Sequence, residues 1–126
     1  MTELETSIKI DVKTEYIEDQ SSPNDERYLF RYTITIINLG KEPVTLKTRY
    51  WSITDSNQHL SVVQGAGVVG ETPTIEPDTA YQYTSGTVLE TPFGVMEGNY
   101  GMVTENGEMF KAKIPPFRLS IPGLLH

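Results

Sequence analysis

The stretch YLFRYTITIIN, residues 28 to 38, constrains this chain more than any other. Tyr28, Phe30, Tyr32, Ile34 and Ile36 fall on one parity, and Leu29, Arg31, Thr33, Thr35 and Ile37 on the other. A repeat of two places the first set on one face of an extended strand, and β-branched and aromatic side chains pack well on such a pleated, half-buried surface. No segment holds apolar residues at i, i+3, i+4 and i+7, so the partners of this strand must be other strands. An all-β fold follows.

Those partners are legible in turn. Thr6 to Thr14 alternates Ile8, Ile10 and Val12 against Lys9, Asp11 and Lys13. Residues 15 to 27 turn acidic and polar around Ser21-Ser22-Pro23 and read as a solvated loop. Asn38 to Pro43 supplies a turn, and Val44 to Asp55 makes the next strand, where a switch of apolar parity between Leu46 and Trp51 predicts a bulge. Short strands near His59 to Val63 and Ala80 to Leu89 follow, and Met102 to Glu105 with Glu108 to Ile114 closes the chain as a hairpin.

Asn106-Gly107 invites a two-residue turn. That register would set Met102 opposite Lys111 and Tyr100 opposite Lys113, mixing apolar and charged side chains on one face. A three-residue loop, Glu105-Asn106-Gly107 with Gly107 left-handed, pairs Met102 with Phe110 and Tyr100 with Ala112 instead. The apolar faces then agree, and a slip of one residue would invert all of them.

About seven short strands separated by turns predict an immunoglobulin-like or fibronectin type III-like β-sandwich. Trp51 lies on the third strand, where such domains bury a Trp. Tyr100, with Gly98 before it and apolar Met102 two residues on, has the spacing of a tyrosine corner. The chain has no cysteine, so no disulfide or thiolate metal site is available and packing has to hold the sandwich. Its 126 residues suit a single domain, with a core over roughly residues 6 to 120.

With 10 Lys and Arg against 17 Asp and Glu, the net charge is −7. Such a chain repels phosphate backbones, so nucleic acid is not an expected partner. The acidic start, Met1-Thr2-Glu3-Leu4-Glu5, lacks the apolar region of a signal peptide, and no apolar run approaches membrane-spanning length. The expected location is the cytoplasm, with no membrane partner.

Gly65-Ala66-Gly67-Val68-Val69-Gly70 has the spacing G-x-G-x-x-G of a dinucleotide-binding turn. That chemistry requires a helix after the glycines, whose N-terminus receives the pyrophosphate. Here Pro73 and Pro77 would break a helix, Glu71 would set negative charge beside phosphate, and no βαβ unit exists. The dinucleotide reading fails. Two readings stay open: glycines chosen for backbone geometry, or glycine amides at Gly65, Gly67 and Gly70 holding an anion with help from Arg49.

Other chemistry is sparse. His59 sits in a turn and His126 at the end of the chain, neither beside a nucleophile, so no catalytic residue is expected. Asp55-Ser56-Asn57 begins like a calcium loop but lacks its glycine and distal Glu. Glu76 with Asp78, and Glu3 with Glu5, read as solvated surface. Weak, water-mediated divalent-cation binding is the most these acids suggest, with no metal site and no cofactor.

From Trp51 onward the chain resembles the ApaG family, and the match extends back through the Tyr28–Asn38 strand to cover nearly the whole chain. The matching residues are Arg49-x-Trp51-x-Ile53-x-Asp55, then Val63-Gln64-Gly65-Ala66-Gly67-Val68-Val69-Gly70 with Pro73 and Pro77, then Tyr83-Thr84-Ser85-Gly86. They continue through Leu89-Glu90-Thr91-Pro92-x-Gly94-x-Met96-x-Gly98-x-Tyr100-x-Met102, Phe110, and Ile114-Pro115-x-Phe117-x-Leu119. Ala66 stands where that family usually has Glu, and Asp78 where Gly often follows the proline. The resemblance implies the same sandwich, a bacterial protein tied to cobalt resistance and magnesium efflux, and a protein-binding role. The expectation is a non-enzymatic interaction module with an unidentified protein partner; the alternative is a small-ligand module holding an anion or nucleotide phosphate at Gly65–Gly70.

Overall fold

The structure, a computed structural model, describes residues 3 to 123. Among them, eight strands form two antiparallel sheets. They are β1 (Ile8–Tyr16), β2 (Tyr28–Asn38), β3 (Val44–Asp55), β4 (Leu60–Ala66), β5 (Thr74–Ile75), β6 (Ala80–Leu89), β7 (Phe93–Thr104) and β8 (Met109–Ser120). One sheet runs β1-β2-β6; the other runs β4-β3-β7-β8, with β5 also paired to β3. Three strands face five in an immunoglobulin-like, fibronectin type III-like sandwich, as the strand alternation predicts.

The opening pattern does what its period requires. Phe30, Tyr32, Ile34 and Ile36 of β2 are buried and meet Leu46 and Trp51 of β3 and Met96, Tyr100 and Met102 of β7 in one core. Trp51 makes edge-on contacts with Tyr32, Tyr100 and Phe117 at 5.6, 6.3 and 5.8 Å between ring centres. That geometry suits the ring quadrupoles and adds to the area the indole buries.

The anticipated bulge lies where Leu46 pairs with Met102 and Thr48 with Gly101, leaving Lys47 as the extra residue. The hairpin has the three-residue loop: Met102 opposes Phe110, Tyr100 opposes Ala112, and Thr104 and Glu108 close it through Thr104 N–H to Glu108 O at 2.9 Å. Gly107 is left-handed at φ 87°.

Four expectations are corrected. β7 begins at Phe93 rather than Met102, with Gly94 and Gly98 both inside the strand. A Cβ on Gly98 would lie 1.9 Å from the Tyr50 carbonyl oxygen, so the close approach of β3 demands glycine. β8 runs on to Ser120 through Pro115-Pro116, which sit in a second bulge between the pairs Gly98–Ile114 and Met96–Phe117, where ladder amides are dispensable. Tyr100 lies mid-strand, far from any corner, and its hydroxyl pairs with that of Tyr83 on β6 across the two sheets. Short helical turns do occur, at Glu3–Thr6, Glu18–Gln20 and Pro23–Asp25, each too brief for a helical period to register.

The two long sides of the sandwich differ. On one, β1 and the helical turn at Glu3–Thr6 contact β8. On the other lie the edge strands β4 and β6.

Candidate functional site

The side bordered by β4 and β6 gathers the glycine segment, Arg49 and a cleft. On β3, Trp51 and Ile53 are buried, so Arg49, on the same parity, points to the same side of the sheet. In the ladder it stands opposite Gly65 of β4. Its Nη1 donates to the carbonyls of Ala66 at 2.9 Å and Gly67 at 3.0 Å, tying the end of β4 back to β3.

Beyond β4 the chain turns sharply. Gly67 has φ 62°, and a Cβ there would lie 2.1 Å from the Glu71 carbonyl oxygen. Its amide donates to Lys47 O at 2.8 Å, inside the β3 bulge. Val68 is buried, and Val68 and Glu71 exchange two backbone hydrogen bonds of 2.8 and 2.9 Å around Val69 and Gly70. Both central residues have positive φ, 46° and 80°, the geometry of a type I′ turn. For Val69 this is strained, because a β-branched side chain crowds the backbone there. No helix follows: the chain passes through Pro73 into β5, as the two prolines require.

A cleft of about 280 Å³ opens between the sheets here, lined by Arg49, Trp51, Val63, Val69, Tyr83 and Thr87 among others. Tyr83, which lines it, shares a hydroxyl hydrogen bond with the buried Tyr100. Burial holds the Tyr83 hydroxyl well above the ordinary tyrosine range, against a smaller opposing effect of its bond to Tyr100. Tyr100 is raised further, by burial first and by Tyr83 second. Both stay protonated at neutral pH and act as packing and hydrogen-bonding groups.

The predicted ligand residues are thus brought together only in part. Gly65 lies under the Arg49 guanidinium, Gly67 has given its amide to Lys47, and Gly70 faces the cleft from the turn. Among the described residues, the amides of Val69 and Gly70 make no backbone hydrogen bond. Trp51 and Tyr100 belong to the core, Gly98 to the β3–β7 contact and Gly107 to the far hairpin.

The remaining sequence candidates have structural roles. Asp55 Oδ1 accepts from the amides of Asn57 and His59, both at 2.9 Å, which closes the β3–β4 turn. His59 is exposed, and His126 lies outside the described residues. Glu71 accepts from the Tyr81 hydroxyl at 2.7 Å. Asp78 takes φ 61°, a left-handed geometry that Asp tolerates better than most residues. Among the described residues no three His, Asp or Glu side chains converge as a metal site, and no helix is long and apolar enough to cross a membrane.

The two edge strands are also marked by their composition. Residues 56 to 70 and 79 to 89 contain no Asp, Glu, Lys or Arg, although 21% of the chain is charged. These two stretches hold β4 and β6, the edges on either side of the cleft. On β4, Leu60, Val62 and Val63 are 58, 48 and 40% exposed, and Val69 beyond it is 61% exposed.

A two-sheet sandwich whose open side is bordered by two charge-free edge strands, with a glycine turn after β4, defines the class of domain. Residues 18 to 104 match the model of the ApaG domain, and the chain belongs to the ApaG family. It is 75% identical over its full length to Protein ApaG of Shewanella sediminis and 74% identical to that of Shewanella loihica, each relative being covered in full. Among solved structures, an X-ray structure of a structural-genomics target, 71% identical, superposes with a TM-score of 0.93 over 98% of this chain and 93% of that one. The crystal structure of the putative ApaA protein from Bordetella pertussis, 40% identical, gives 0.90 over 92% and 94%.

Proposed function

We propose that this chain is a non-enzymatic, cytoplasmic protein-interaction module that accepts an extended segment of a partner protein at the β4 edge. The observation that carries this reading is the edge itself. β4 lies at the end of its sheet, pairs with β3 on one side only over seven residues, and has no charge, no proline and three exposed apolar side chains. Soluble proteins usually blunt such an edge with lysine, proline or a covering element, and an unprotected one is a ready template for an added strand. The divalent-cation physiology expected of the family enters this reading through the partner rather than through a metal site on the chain.

The test is affinity capture from the native cell with the unaltered chain and with Val62→Lys, whose exposed side chain allows the fold to persist. A protein recovered with the first and lost with the second, together with new amide protection along Leu60–Ala66 in hydrogen exchange, is the expected result. A partner retained by Val62→Lys with no added protection on β4 would overturn the reading.

The small-ligand alternative draws on the amides of Val69 and Gly70, which make no backbone hydrogen bond among the described residues, and on the nearby cleft. It has less support, because Gly67 N–H and Arg49 Nη1 are committed to carbonyls. Titrating pyrophosphate against the Val69 and Gly70 amide resonances tests it, and the absence of localised shifts at millimolar ligand rejects it.

A further inference from the structure

The charges of this protein are sorted by position. The strands of the five-stranded sheet hold five of the ten cations (Lys47, Arg49, Lys111, Lys113, Arg118) but only two of the seventeen acids, Asp55 and Glu97. That sheet is therefore +3 in a chain of −7, and the rest of the chain is −10. Most of the remaining acids lie in the loops and turns that border the sheets.

Three of the cations share the outward face. On β8, Phe110, Ala112 and Ile114 are buried, so Lys111 and Lys113 project away from the core; beyond the bulge, Leu119 is buried and Arg118 projects the same way. None of them makes an ion pair among the described residues, where the one ion pair joins Arg31 to Glu15 elsewhere. The ladder sets Lys113 in one row with Asn99, Tyr50 and Gln64, and Lys111 in the next with Gly101, Thr48 and Ala66. Tyr50 stands between two shallow troughs, one leading past Thr48 to Lys111 and one past Ser52 and Glu97 to Lys113. Glu97 is the one acid on this face.

We propose that the outward face of the five-stranded sheet docks a short acidic segment of a partner protein, held in extended form against Tyr50, Lys111 and Lys113. Strand rise places alternate residues of β8 about 6.8 Å apart, and carboxylates on alternate residues of an extended peptide repeat at the same distance. The Tyr50 ring, across β7 in the same row as Lys113, offers an apolar contact to the side of the segment. Length is limited by the loops: a long polyanion such as single-stranded nucleic acid overruns the face and meets Glu105 and Glu108 at one end and Asp55 and Glu90 at the other. This face borders the β4 edge at Gln64 but is centred on β3 and β8, and either proposal can fail without the other.

The test uses the pentapeptide Glu-Thr-Glu-Thr-Glu, its Lys-Thr-Lys-Thr-Lys counterpart and a ten-nucleotide poly-dT strand, each titrated at low salt while amide resonances are followed. The acidic peptide alone should shift Tyr50, Asn99, Lys111 and Lys113. Its affinity should fall several-fold between 20 and 150 mM salt, as screening of exposed charges requires. Lys111→Glu with Lys113→Glu should weaken it at least tenfold at unchanged melting temperature, and the corresponding Gln pair should weaken it less. Three outcomes would overturn the proposal: no localised shifts at millimolar peptide, tighter binding of poly-dT than of the acidic peptide, or self-association that the Glu pair abolishes. The last would make a second copy's acidic loop the occupant.

Discussion

The Arg49 guanidinium lies against the α-carbon of Gly65, so that a Cβ built there would be 2.9 Å from both Nη1 and Nη2. A glycine that looks like part of a phosphate loop is thus explained by an arginine that latches β4 to β3.

The latch makes Gly65 and Gly98 differ in tolerance. Gly65→Ala meets the end of a flexible side chain that can swing aside, so it should cost about 1 kcal/mol through weakened hydrogen bonds to Ala66 and Gly67. Gly98→Ala meets the fixed Tyr50 carbonyl and should cost more than about 3 kcal/mol, because the sheet itself has to part. Urea unfolding of both variants checks the order, and equal losses would contradict it.

Tyr83 and Tyr100 provide a double-mutant cycle. Removing either hydroxyl leaves the other buried without its partner, so each single Phe variant should lose about 1–2 kcal/mol. The double variant should lose much less than the sum, since no polar atom is then stranded.

The same pair sets an alkaline limit. Burial raises both hydroxyls in the folded chain above the unfolded value of about 10. Their contribution is therefore complete below pH 10 and is lost as pH rises above it, by about 1.4 kcal/mol per pH unit for each tyrosine. Denaturant midpoints at pH 9, 10 and 11 should show the fall, and the double Phe variant should flatten it.

Val69 carries strain that a better turn residue would relieve. Val69→Asn creates the Asn-Gly pair favoured in type I′ turns and should stabilise the fold by about 1 kcal/mol. Thermal unfolding checks this, and an unchanged melting temperature would show that the turn stores no strain.

Asn38 was not singled out by any pattern, yet it is buried and joins three segments. Its side chain donates to Glu42 O and Ile75 O and accepts from Gly40 N–H, each at 2.9 Å. Asn38→Leu should cost about 3 kcal/mol or more by stranding those groups, and Asn38→Ala about as much. Loss of hydrogen-exchange protection around Gly40 and Ile75 would locate the damage.

These residues mark the limit of what the linear text shows. Alternation along Tyr28–Asn38, the parity switch after Leu46 and the register of the last hairpin were legible because each is local: two neighbouring strands, or one strand and its own period, suffice to decide them. Prolines 73 and 77 excluded a dinucleotide turn on equally local grounds. Similarity to the ApaG family over nearly the whole chain was legible because many short motifs keep one order. The early start of β7 was not, since Gly94 and Gly98 look like breakers until the neighbouring β3 backbone is seen beside them.

Tertiary structure alone decided the rest. The meeting of Arg49 with Gly65, of Tyr83 with Tyr100 and of Asn38 with Ile75 joins residues 16, 17 and 37 positions apart. The charge-free stretches were countable in the sequence, but only the strand order makes them facing edges of one open side, and only the ladder gathers Tyr50, Lys111 and Lys113 onto one face. Periodicity states which face of a strand is buried; it is sheet pairing, a long-range choice set by packing, that states what the other face presents.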